Sequence, residues 1–271
     1  MAKERDRRQL KRYLVPGLQR GLDILRRFRA DRTHLSATEL AQELKIPRST
    51  VFRLLSTLEF MGFVERSPDG HIYHLGTAVL SLGFEYIASL EITDLARPIM
   101  ERLANTTGYH ANFAIRDGQE IVFVLKATAR SSYIASVKIG ARLPAHATVL
   151  GRMCLAFLPD EELDALYPDG KLKRHSQQTP VTVRQLRAIL AEDRRRGYAI
   201  SEQFYEPGVS AVAAPVFEDG QKVAGALNII VPSGAATPEK LKNVVTLVKS
   251  AARELSQLLN HRDTKPTRKI A

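Results

Sequence analysis

The stretch LSATELAQELKIPRSTVFRLLSTLEFMGF, Leu35 to Phe63, decides the reading of the first quarter of the chain. Ser36-Ala37-Thr38-Glu39 has the S-x-x-E form of a capping box, in which the serine and glutamate side chains satisfy each other's backbone N–H groups at a helix start. A short helix through Leu40, Ala41 and Leu44 follows. Lys45-Ile46-Pro47 then makes a tight turn, and proline suits the first turn of the next helix because its missing N–H would be unpaired there anyway. From Arg48 to Glu59 the residues Val51, Leu54, Leu55 and Leu58 recur as one apolar stripe. Ser49, Thr50, Arg53 and Thr57 fall away from it, and Gly62 ends the helix.

The pattern extends both ways from this stretch. Upstream, Pro16 and Gly17 open a helix whose apolar residues are Leu18, Leu22, Leu25 and Phe28, broken at Ala30-Asp31-Arg32-Thr33. Downstream, Phe63–Arg66 and His71–Leu75 flank Ser67-Pro68-Asp69-Gly70, a hairpin signal. Three short helices and a hairpin predict a winged helix-turn-helix over residues 14–76. An exposed arginine can bond bidentately to guanine edges, and serine and threonine hydroxyls can reach bases or phosphates. The residues expected at DNA are therefore Arg48, Ser49, Thr50, Arg53 and Thr57, with Arg20 and His71 completing the set. A polar helix face alone is compatible with a small interaction domain, so the charge distribution matters.

The chain has 271 residues with 40 Lys and Arg against 29 Asp and Glu, a formal net charge of +11. Residues 1–75 hold 15 basic and 9 acidic residues, a net +6. Residues 261–271 hold 4 and 1, a net +3, which leaves the long middle at only +2. A basic quarter beside a nearly neutral body is the electrostatic layout of a nucleic-acid reader with a separate regulatory module. A nucleoid-type protein that binds DNA without sequence preference would explain the basic ends but not the neutral body. The basic arm 1–13 and tail 261–271 are expected to lack fixed structure.

Other classes are excluded on composition. The one cysteine, Cys154, cannot form an intrachain disulfide or a thiolate zinc cage and reads as a packing residue. No apolar run approaches the roughly 20 residues of a membrane span, and the N-terminus lacks a signal-peptide core. A bacterial cytoplasmic protein, nucleoid-associated when on DNA, is expected. No G-x-S-x-G elbow, P-loop or spaced ligand set appears, so no catalytic residue, metal or cofactor is assigned.

Residues 77–92 read as an apolar connector helix. A further helix with Pro98 inside its pattern is expected to kink or to start near residue 96. Apolar residues on a thin connector need a partner, and a second subunit is the economical one. The body, 93–260, alternates strands (111–116, 121–127, 134–139, 209–218, 222–231) with helices near 147–157, 160–167, 182–196 and 238–260. That order predicts an α+β fold. Thr148 and Gly151 fall in the first turns of the helix near 147, where free N–H groups favour an anion.

Leu35–Leu58, together with the opening Val15–Leu25, resembles the DNA-binding domain of the IclR family of bacterial transcriptional regulators. The resemblance makes P-R-S-T-V-x-R-L-L the recognition helix, with Arg48, Ser49, Thr50 and Arg53 facing DNA. It also implies a body of GAF-like fold that binds an effector. Gly140, Pro144, Thr148, Gly151 and Arg152 match the family's G-x-x-x-P-x-x-x-T-x-x-G-[KR] segment. Gly197–Val216 resembles a second family segment, around Pro207-Gly208 and Pro215. The resemblance places the effector near Ala145, Thr148 and Gly151, with Arg142 or His146 assisting, and near Ser201, Ala211, Asn228 and Ile230. Ala211 and Ile230 are apolar where members with small aliphatic effectors are more polar, which suits a larger, more apolar acid. The segment Arg142-Leu143-Pro144-Ala145 with Thr148 and Gly151-Arg152 resembles the branch that regulates aromatic-acid catabolism. The implied partners are double-stranded operator DNA, a small carboxylate effector, a second copy in a homodimer or dimer of dimers, and RNA polymerase. An aliphatic or sugar-derived acid is the alternative effector.

Overall fold

The computed structural model describes residues 13–29, 31–129, 137–202, 209–218 and 222–263. The arm 1–12, the tail beyond 263, residues 134–136 of the strand expected at 134–139, and the Asp219-Gly220 turn lie outside them. Two compact units divide the chain, Met1–Ser89 and Leu90–Ala271.

The first unit holds helices α1 (Pro16–Leu25), α2 (Ala37–Leu44), α3 (Arg48–Phe60) and α4 (Ala78–Ser89), with strands β1 (Leu35–Ser36), β2 (Val64–Arg66) and β3 (Ile72–Leu75). Its core is Ile24, Phe28, Leu35, Leu40, Val51, Leu55, Leu58, Val64 and Tyr73. The capping box forms as expected. The Ser36 N–H donates to Glu39 Oε2 at 2.7 Å, and the Glu39 N–H donates to Ser36 Oγ at 3.2 Å. Those bonds from Ser36 hold the Glu39 carboxyl below its ordinary range. Gly62, at φ +74°, ends α3. Its N–H donates to the Glu59 carbonyl at 2.9 Å, and that of Phe63 to Leu58 at 2.8 Å, a Schellman closure that needs the left-handed residue. The two-residue β1 was not anticipated. It pairs Leu35 with Tyr73 and makes the wing a three-stranded sheet in the order β1-β3-β2.

The second unit opens with α5 (Glu91–Thr107), which starts before the expected position and runs through Pro98. Burial of Ile92, Ala96, Ile99, Met100 and Leu103 along one stripe outweighs the hydrogen bond that proline forfeits. Strands β4 (Ala111–Asp117), β5 (Glu120–Ala127), β6 (Arg142–Pro144), β7 (Ala199–Glu202), β8 (Val209–Glu218) and β9 (Lys222–Pro232) form one antiparallel sheet, ordered β6-β5-β4-β9-β8-β7. Residues 137–139 are not a strand, and β5 pairs on that side with β6. Pro144 is tolerated because β6 is an edge. β7, the other edge, is four residues long and too short to show alternation in the sequence.

Helices α6 (Val149–Leu155), α7 (Asp160–Leu166) and α8 (Val183–Arg196) pack on one sheet face, and α5 with α9 (Pro238–Asp263) on the other. This is the α+β arrangement expected. The face under α5 and α9 carries Phe113, Val212, Leu227 and Ile229. The face under α6 carries small residues, Ala114, Ala199, Ala213 and Ala226.

Candidate functional sites

α3 presents the first site. Val51, Leu55 and Leu58 are buried, so the helical period of 3.6 residues turns Arg48, Ser49 and Arg53 outward, and all three are exposed. Thr50 is half-buried at the flank. Thr57 is exposed, but its hydroxyl donates to the Arg53 carbonyl at 3.0 Å and the residue lines an apolar hollow with Leu54 and Leu58. Arg20 on α1 and His71 beside the wing tip are exposed. Phe52 and Ser56 share the outward face of α3 and were missed. Arg66 stiffens the wing. Its guanidinium donates to the Gly70 carbonyl at 2.7 Å and lies 5.7 Å from the Phe52 ring and 5.6 Å from that of Tyr73.

The hollow has a volume of about 390 Å³ and is walled by Gly17, Leu18, Leu22, Leu54, Met61 and Leu82, among others. No residue of α4 is buried, and Leu80, Leu82, Phe84 and Tyr86 are all more than half exposed.

The second site is built around α6. Thr148 caps that helix, with Gly151 N–H donating to Thr148 Oγ1 at 3.2 Å and Thr148 Oγ1 donating to the Pro144 carbonyl at 3.2 Å. One of the N–H groups expected to be free is therefore used internally. Gly151 is required for a different reason. A Cβ built there would lie 2.2 Å from the Ala145 carbonyl oxygen, so glycine lets α6 press against the Ala145–Ala147 turn. His146 in that turn is buried, and its Nε2 donates to the Lys173 carbonyl at 2.9 Å. Its ring stands 6.1 Å from that of Tyr167 and 5.6 Å from that of His175. Burial lowers the pKa of His146 and pushes the Tyr167 hydroxyl up to about 12. Arg142 is at the sheet edge, exposed, with its guanidinium on Asp117 at 2.5 Å and Glu120 at 2.8 Å.

The strand residues come together. Ser201 pairs with Ala211, which pairs with Ile230, and one step along Ala199, Ala213 and Asn228 form the next row. Facing residues of paired antiparallel strands share a side, and alternate residues repeat it. All four strand residues singled out in the sequence therefore lie on the α6 face. Ala199 and Ala213 are fully buried, whereas Ser201, Ala211 and Ile230 are half-buried, so the cover of the sheet thins between the two rows.

Two features of this unit were not foreseen. Arg152 donates twice to Asp193, at 2.7 Å each, in a bidentate pair that ties α6 to α8 with the side chains 6% and 2% exposed. Asn112 Nδ2 donates to Asn228 Oδ1 at 3.0 Å on the α6 face, with both residues buried. The partners lie 41 and 116 positions apart in the chain, beyond the reach of spacing arguments. Cys154 packs in the core under α6, and burial pushes its thiol up to about 12, consistent with the packing role expected of it. Among the described residues no group of three or more His, Cys, Asp or Glu could hold a metal ion, and no helix is long and apolar enough to cross a membrane.

A winged helix-turn-helix followed by an α+β unit with a helix-covered sheet is the organisation of a DNA-binding transcription regulator with a regulatory domain. The chain belongs to the IclR family. Residues 17–68 match the IclR helix-turn-helix domain, and residues 84–257 match the bacterial transcriptional regulator IclR C-terminal domain. It is 31% identical over 242 residues to the HTH-type transcriptional repressor AllR of Klebsiella pneumoniae, covering 89% of each chain. It is 29% identical to the Pca operon regulatory protein of Acinetobacter baylyi, over 90% of this chain and 89% of that protein. An IclR homologue of Microbacterium hydrocarbonoxydans, solved in complex with 4-hydroxybenzoate, superposes with a TM-score of 0.78 at 26% identity, covering 90% of this chain and 98% of its own. These relatives place the protein among non-enzymatic regulators of transcription.

Proposed function

We propose that the protein is a sequence-specific regulator whose C-terminal unit binds an aromatic carboxylic acid on the α6 face of the sheet. The observation that carries this reading is the convergence of Ser201, Ala211, Asn228 and Ile230 on that face, where the cover thins. Small apolar residues beside a few polar groups suit a planar apolar ring with one charged end. The names of two relatives, one a Pca operon regulator and one a 4-hydroxybenzoate complex, support the same class. Arg48, Ser49, Thr50 and Arg53 read base edges and phosphates in the major groove, with Arg20, Thr57 and His71 at the margins of the same interface.

The regulator works as a dimer or dimer of dimers. A second copy covers the hollow beside α1 and the bare face of α4, and two heads read a pseudo-palindromic operator. Control requires only that the acid bind one arrangement of the heads better than the other.

The test is a thermal-shift screen with 4-hydroxybenzoate, protocatechuate, glyoxylate and pyruvate, followed by binding of the full chain to its own upstream DNA. An aromatic acid should raise the midpoint and change DNA affinity. A response confined to the aliphatic acids would overturn the aromatic reading. A monomer mass on sedimentation with and without DNA would overturn the dimer.

A further inference from the structure

One row of the sheet carries a polar group that neither motif nor spacing singled out. Asn112 faces Lys126 on one side and Asn228 on the other. Asn228 faces Ala213, which faces Ala199. Lys126, Asn112, Asn228, Ala213 and Ala199 therefore form a line across five strands on the α6 face. The shift in the β4–β5 pairing at Phe113/Ala114 preserves this, because Leu125 and Ala127 on either side of Lys126 belong to the opposite face.

The two asparagines are 2% and 4% exposed and share one hydrogen bond, from Asn112 Nδ2 to Asn228 Oδ1. The Asn228 amide nitrogen and the Asn112 carbonyl oxygen have no partner among the described residues. Flipping both amides leaves one N–H₂ group and one carbonyl over in the same way. Both leftovers lie on the α6 face, the face assigned to the effector, where they can offer a ligand one N–H donor and one acceptor. Lys126 is half-buried, and no described residue pairs or hydrogen-bonds with its ammonium. Neighbouring strands lie about 4.8 Å apart, so Lys126 and Asn228 start about 10 Å apart, a gap that a lysine side chain largely spans.

We propose that Lys126, with the Asn112–Asn228 amide pair, is the carboxylate-reading end of the effector site. The ammonium and the spare amide N–H would take the two carboxylate oxygens, and the body of the acid would lie along the half-buried row of Ser201, Ala211 and Ile230. This assignment rests on the reading of the α6 face as the effector site and names the charge that selects acids there. Arg142, on its carboxylates at the sheet edge, and the Thr148-capped N–H of Gly151 are then not needed as anion receptors.

The experiment is calorimetric titration of the full chain with 4-hydroxybenzoate, benzoate, glyoxylate and pyruvate, and with 4-hydroxybenzamide as the neutral counterpart. The amide arm needs no variant and survives any folding defect. A lost charge-assisted hydrogen bond predicts that the amide binds the wild type roughly 10- to 100-fold more weakly than its acid. Lys126→Met should weaken the acid by a similar factor and leave the amide unchanged. Lys126→Arg should restore most acid binding, and Asn228→Leu should weaken acid and amide together. If an acid binds the wild type but Lys126→Met binds it within twofold and the amide competes equally, the Lys126 assignment is wrong while the site stands. If none of the four acids binds, the acid reading of the site and this assignment fall together.

Discussion

The second unit buries one ion pair, whereas the described ion pairs of the first lie at the surface. In the first, Arg48 and Arg53, the cations proposed to meet DNA, are exposed on a helix whose other face is core. Its ion pairs, from Arg27 and Arg32 to Glu43, are also at the surface. In the second, most ion pairs are at the surface too, but one is inside and one cation, Lys126, is half-buried. Arg152 and Asp193 close a buried bidentate clamp, and Lys126 stands beside two buried asparagines. An exposed charge can meet a polyanion of many phosphates, where affinity comes from many weak contacts. A buried charge can do only two things at acceptable cost, hold another element or receive a small ion.

The sharpest break of this contrast compares the two kinds of ion pair. Asp193→Ala leaves Arg152 buried without its carboxylate, which should cost about 3–5 kcal/mol. Denaturant unfolding of the full chain should show that loss in the transition of the second unit. The surface counterpart, Glu43→Gln, should cost below about 1 kcal/mol, because solvent already screens Arg27 and Arg32. Equal losses for the two would break the distinction between the units.

The second prediction sharpens the outward half. Arg53→Ala should weaken operator binding by about 1–3 kcal/mol, roughly 10- to 100-fold, while acid binding and stability stay as in the parent. Binding isotherms against operator and scrambled DNA measure it. A uniform loss on both sequences would make Arg53 a phosphate contact, and an unchanged footprint would remove α3 as the reading helix.

The same contrast explains what the sequence disclosed. The first unit was legible because its devices are local. The capping box spans Ser36 to Glu39, the Schellman closure spans Leu58 to Phe63, and the stripe of α3 repeats within four residues. Even there, β1 was missed, because two residues carry no period and exist only by pairing with β3. In the second unit the helices and long strands were legible by period, while β6 and β7, three and four residues long, were not. The family segments led to Thr148, Gly151, Ser201 and Asn228. They gave no hint that Gly151 is there for close approach to Ala145, or that Asp193 and Asn112 complete the buried pairs. Those facts depend on register between distant strands and on helix packing across them.

The smallest expected effect separates the units by pH. Burial lowers the pKa of His146 below its ordinary 6.5, and His175 beside it is lowered by burial and by the nearby His146 and Lys173. A histidine held neutral by the fold binds fewer protons folded than unfolded in the window just below 6.5. Its contribution is therefore intact above about pH 6.5, is lost as pH falls toward the folded pKa, and changes no further below that. Glu39 in the first unit has the opposite chemistry. Its carboxyl is lowered from an ordinary 4.5, so its contribution is intact above about that pH and is lost only on stronger acidification. Between about pH 7.5 and 5.5 the second unit should soften by less than about 1 kcal/mol while the first holds. His146→Gln keeps a donor for the Lys173 carbonyl but does not titrate, so it should shrink the loss and leave the share from His175. Melting curves at the two pH values, with intrinsic tyrosine signal and operator binding read separately, test this. If His146→Gln and the parent lose the same stability over that window, the burial of His146 against Lys173 does not set the pH response of the second unit.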